Sequence, residues 1–104
     1  MPTVKVSAPQ RSGSETIRDV TSGADAFSVM FRRVDPNDPV LNEHPGVGWE
    51  AHVRLPDGTT FGQYGMTRKD AFGKAHAAAS AGRALRGVDW HVVTKALSDV
   101  GAFA

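Results

Sequence analysis

The sequence predicts an α+β domain: a three-stranded antiparallel sheet, one long helix packed on one of its faces, and a second, short helix at the C-terminal end. Three observations predict it. Apolar and polar residues alternate through residues 27 to 31 and again through residues 49 to 55, the period of a half-buried strand. Pro56, Asp57 and Gly58 then carry the chemistry of a tight hairpin. From Thr67 the period becomes that of a helix, in a stretch rich in alanine.

Residues 1 to 24 hold few large side chains. Val4 and Val6 alternate ahead of Pro9, and Ser12, Gly13 and Ser14 separate them from Ile17 and Val20, so this segment is expected to be an N-terminal arm with one short strand. The alternative is a helix from Ser14 to Val20 capped by Ser14, although so short a segment with few anchors nucleates poorly. Residues 25 to 104 are expected to form one compact domain.

In the strand expected over residues 26 to 34, Phe27, Val29 and Phe31 point one way, and Ser28, Met30 and Arg32 the other. Residues 35 to 47 contain three prolines and read as a long loop. The strand over residues 48 to 55 has two chemically opposite faces, with Trp49, Ala51, Val53 and Leu55 against Glu50, His52 and Arg54. The hairpin turn leads into a third strand over residues 59 to 64. If Leu55 opposes Thr59, then Val53 meets Phe61, His52 meets Gly62, and Glu50 meets Tyr64.

Thr67 opens a capping box with Asp70 in the usual glutamate position, and the helix is expected to run over residues 67 to 86, with Gly87 as its stop. Ala71, Phe72, Ala75, Ala78, Ala79, Gly82 and Leu85 share one side, mostly small groups that let a helix lie close on a sheet. Asp89 can cap the last helix, which presents Trp90, Val93, Leu97 and Val100 at helical spacing. The expected core is Phe27, Val29, Phe31, Trp49, Val53, Leu55, Phe61 and Phe72.

Twelve Lys and Arg against eleven Asp and Glu leave a net charge of +1, so no global field draws the chain to nucleic acid or anionic lipid. The absence of cysteine excludes disulfides, thiol catalysis and Cys-ligated metal centres. The first ten residues carry Lys5 but no continuous apolar run, so no secretory signal is read, the cytoplasm is the expected location and no membrane partner is expected. Arginine outnumbers lysine eight to four, as a GC-rich genome favours.

Catalysis needs converging groups. His44, His52, His76 and His91 are spread over a loop, a strand and two helices without metal-ligand spacing, and no Gly-x-Ser-x-Gly elbow occurs. Glu50 and His52 share a strand face, where a pair of metal ligands or a base with its orienting carboxylate would fit, but such neighbours are ordinary on a wet strand. No enzyme activity, no cofactor and no metal site is therefore expected.

Residues 65 to 76 read Gly-Met-Thr-Arg-Lys-Asp-Ala-Phe-Gly-Lys-Ala-His, after a strand hairpin and ahead of an alanine-rich packing face. Residues 49 to 85 thereby resemble the second half of a double-stranded-RNA-binding domain. Thr67, Arg68, Lys69, Ala71 and Ala75 match the family's Ser-Lys-Lys-x-Ala-Lys-x-x-Ala pattern, with Phe72 in place of its last lysine. The resemblance implies phosphate contacts by Arg68, Lys69 and Lys74, and His76 and Arg83 extend the same helix edge. The order of hairpin and capped helix is also similar to the sheet-and-helix unit of HicB-type antitoxins, which implies binding to protein.

The leading expectation is a small non-enzymatic protein that binds another protein, or a second copy of itself as a homodimer. Met30, Arg32, Glu50, His52, Arg54 and Tyr64 are its expected contacts, clustered on the sheet face away from the helix. Nucleic-acid binding by Arg68, Lys69, Lys74, His76 and Arg83 is the alternative.

Overall fold

Two glycine turns set the first quarter of the chain. In the computed structural model, which describes residues 3–82 and 84–104, Gly13 with Ser14 and Gly23 with Ala24 each close a two-residue hairpin, both glycines at a left-handed φ of about +60°. They join β2 (Gln10–Ser12), β3 (Glu15–Ser22) and β4 (Asp25–Arg33), while β1 (Val4–Val6) pairs with the far end of β3. The segment expected as an arm with one short strand, or as a helix over residues 14 to 20, thus holds three strands.

The protein is an α+β domain built on a six-stranded antiparallel sheet, in place of the three strands expected, with spatial order β1-β3-β4-β5-β6 and β2 beside β1 along β3. Between β1 and β2 the chain gains one residue on β3, since Val6 faces Val20 whereas Gln10 faces Ile17. Pro9 lies in this bulge, and the Ser7 hydroxyl accepts the Asp19 N–H at 2.8 Å.

The central hairpin has the register its turn predicts. β5 (Trp49–Arg54) and β6 (Thr60–Gly65) pair with Val53 opposite Phe61, His52 opposite Gly62 and Glu50 opposite Tyr64, and the Leu55 N–H donates to the Thr59 carbonyl at 2.8 Å. The long loop before β5 contains one helical turn, α1 (Val40–Glu43).

α2 (Arg68–Ala81) and α3 (Trp90–Asp99) pack on one face of the sheet. Thr67 caps α2 by accepting the Asp70 N–H at 3.1 Å, and the Asp70 carboxylate reaches back to the Met66 N–H. α2 ends five residues earlier than expected (81 against 86). The Ala84 N–H bonds the Ala79 carbonyl and Leu85 turns to φ +56°, which folds Leu85 and Val88 back onto the core. Asp89 caps α3 as expected, through the His91 and Val92 N–H groups.

Phe27, Val29, Phe31, Val53 and Phe72 are buried, joined by Val20, Ala51, Ala71, Ala75, Val93 and Leu97. Trp49, Leu55 and Phe61 are partly buried at the margin. Val100, at helical spacing with Trp90, Val93 and Leu97, is exposed because Gly101 ends α3 just after it; Ala102 and Phe103 pack into the core instead. Among the described residues no helix is long and apolar enough to cross a membrane.

Candidate functional site

Both packed helices occupy the same side of the sheet, so alternation leaves the even-numbered residues of β4, β5 and β6 on the other side, without a helix above them. Register arranges this open face in three rows. Glu15, Arg32, Glu50 and Tyr64 form one; Ile17, Met30, His52 and Gly62 the next; Asp19, Ser28, Arg54 and Thr60 the third. All six residues expected to make protein contacts share this face. β3 adds Glu15, Ile17 and Asp19.

Those three were missed because the two faces of β3 do not sort by polarity. Thr16 and Arg18 share the covered side with Val20, while Ile17 is on the open one. The usable signal was the pair of glycine turns that bracket the strand.

The centre of the open face is an ion cluster around Glu50. The Glu50 side chain is only 10% exposed, although α2 and α3 pack on the other face of the sheet. Its Oε2 accepts from Arg32 Nη2, and its Oε1 from His52 Nε2, each at 2.5 Å. Burial pushes the Glu50 carboxyl up, but the hydrogen bonds and charges of His52 and Arg32 outweigh it and hold the group below its ordinary value. Because an ionised carboxylate only accepts, His52 carries its ring hydrogen on Nε2. The same hydrogen bond and the Glu50 charge raise the Arg32 guanidinium above its ordinary value. Tyr64, beside Glu50, has its phenol raised by burial and by the negative charges of Glu50 and Asp38.

The His52 ring lies flat against Gly62. A Cβ built on Gly62 would stand 2.7 Å from His52 Cε1 and 2.9 Å from Nδ1, so the missing side chain is the space the imidazole occupies. The accessible parts of the cluster are thus Arg32, with a side chain 41% exposed, and one side of His52, both aimed by a carboxylate that is itself covered. Arg54 is exposed, and Met30 and Tyr64 are half-buried.

The second set of expected contacts is dispersed. Arg68 turns inward: its Nη1 donates to the main-chain oxygens of Ala102 and Ala104, and its guanidinium carbon stands 4.3 Å from the centre of the Trp49 ring. His76 stacks on Trp90, with ring centres 4.8 Å apart and planes 8° from parallel. Lys74 pairs with Asp70 at 3.5 Å, Lys69 is exposed, and Arg83 lies outside the described residues.

Two groups link this architecture to pH. Burial, aided by the nearby His91, lowers the His76 imidazole below its ordinary 6.5. His76 therefore contributes stability that is present above about pH 6.5 and lost as the pH falls through its folded value. Glu50, also lowered, contributes stability present above the ordinary carboxylate range and lost below it. Urea midpoints are expected to hold near neutrality and fall in two stages on acidification. His76→Phe removes the upper stage and keeps the lower. A wild-type midpoint that stays flat down to about pH 5 would contradict the burial of His76.

Among the described residues no three His, Asp or Glu side chains gather into a metal-binding group. No protein-family model matches the chain, and no curated protein or solved structure matches it.

Proposed function

We propose that this is a small binding protein without catalytic activity that docks the open face of its sheet onto another protein. One observation carries the reading: the face left without a helix holds a charged group set that is already oriented. Arg32 and His52 are positioned by Glu50 before any partner arrives, which reduces the side-chain ordering that association must otherwise impose. Around them Ile17, Met30 and Tyr64 offer half-buried apolar and aromatic surface, and Tyr, Met and Arg are enriched at protein interfaces. Both Glu50 oxygens are engaged by neighbours, so Glu50 serves here to orient other groups.

Affinity capture from the source cell, read by mass spectrometry with and without nuclease, tests the proposal. Wild-type protein is expected to retain a partner protein in both samples. Arg54→Glu combined with Tyr64→Ala should lose it, and so should Gly62→Val, which builds a side chain where the His52 ring lies. Undiminished capture by both variants would remove this face from consideration. Capture that vanishes with nuclease would favour the nucleic-acid reading.

A further inference from the structure

The two edges of the sheet are unlike. Along the first, β1 and β2 are short, separated by a bulge at Pro9, and carry Lys5 and Arg11, the devices that stop an edge from recruiting another strand. The other edge, β6, is six residues long and reads Thr-Phe-Gly-Gln-Tyr-Gly, with no charge and no proline. The Leu55 N–H donates to the Thr59 carbonyl at the closed end of the hairpin. Antiparallel alternation then turns Phe61 and Gln63 toward β5, and points the main-chain N–H and C=O groups of Thr60, Gly62 and Tyr64 away from the sheet. Among the described residues no turn, loop or helix supplies those groups with a main-chain partner.

We infer that the β6 edge is a homodimerisation site at which a second copy of this chain adds its own β6 antiparallel, about a two-fold axis at Gly62. The occupant follows from charge. Two-fold pairing sets each strand against itself, so an edge with a cationic residue would face its like, as Lys5 and Arg11 would on the first edge; β6 has none. In this register Gly62 meets its own counterpart and Thr60 meets Tyr64, so all three outward residues find partners. Beside Gln63 and Tyr64, the segment carrying Val40, His44 and Val47 borders a groove at one end of this edge, together with Lys74 of α2. Pairing extends the sheet across the axis and sets two open faces side by side. It does not depend on what the open face binds, and a monomer that still captures a partner would end this inference alone.

Sedimentation velocity over a broad concentration series, with amide hydrogen exchange on the same samples, tests it. A dimer that dissociates on dilution is expected, with the Thr60, Gly62 and Tyr64 amides protected only when it forms. Thr60→Pro removes one outward N–H without breaking a bond to β5, and should abolish the dimer while leaving the circular dichroism unchanged. A wild-type monomer at every concentration, a dimer whose added protection lies elsewhere, or a well-folded Thr60→Pro protein that still dimerises would each overturn the inference. The exchange arm uses unaltered protein, so it decides the matter even if the variant does not fold.

Discussion

Replacing Phe72 with alanine is expected to destabilise the protein by about 3–5 kcal/mol, the range for removing a fully enclosed aromatic side chain. Phe72 is 0% exposed and sits where the covered sheet face, α3 and the segment after it converge. Its ring is 6.1 Å from that of Trp90, 5.7 Å from Phe103 and 5.1 Å from His76. Deletion leaves a cavity between two helices and a sheet that cannot all close on it together. A domain of this size has about 5–15 kcal/mol in total, so the loss is a large part of its stability. Urea denaturation at neutral pH gives the measurement, with Phe72→Leu as the milder variant if the alanine protein does not fold. A loss below about 1 kcal/mol for Phe72→Ala would show that this residue is not the keystone of the packing.

Gly65→Ala is expected to be nearly as damaging, although it adds one methyl group. A Cβ on Gly65 would fall 2.4 Å from the Ala71 nitrogen and 2.8 Å from its Cα. Those are main-chain atoms of α2, and they cannot yield unless the helix moves off β6. The expected cost is about 3 kcal/mol, at the upper end for overpacking because backbone has to shift. Gly73 provides the control. It lies within α2 with nothing inside 4 Å of its absent Cβ, so Gly73→Ala should stabilise by about 0.5–1 kcal/mol through helix propensity alone. Thermal melts of the two variants should move in opposite directions, and a Gly65→Ala melt unchanged from wild type would refute the close helix-to-strand contact.

Gly62 and Gly65 show where sequence reasoning reaches its limit. Neither has the positive φ that would mark a turn. What requires Gly65 is a helix arriving from later in the chain, and what requires Gly62 is a histidine ring on the neighbouring strand. The β5–β6 hairpin was legible because its turn, register and faces depend on residues adjacent in sequence. The caps at Thr67 and Asp89 were legible for the same reason. β3 was not, since its edge partners are short and its covered side carries Thr16 and Arg18.

The candidate face divides the same way. Alternation alone put Met30, Arg32, Glu50, His52, Arg54 and Tyr64 on one side. That Glu50 is the covered centre and Arg32 and His52 the accessible parts depends on distances across strands. Arg68 is the clearest contrast: the resemblance to a double-stranded-RNA-binding domain implies phosphate contact, but its guanidinium is taken up by main-chain oxygens 34 and 36 residues further on.

Periodicity, turn chemistry and capping, which act over a few neighbouring residues, were sufficient for the α+β class, the central hairpin, the helices after residues 67 and 89 and the membership of most of the open face. Strand number, the end of α2, the need for glycine at positions 62 and 65 and the inward turn of Arg68 were decided only by tertiary structure. Each of these is set by excluded volume or by a hydrogen bond between residues brought together by folding, and no local pattern encodes such a distance.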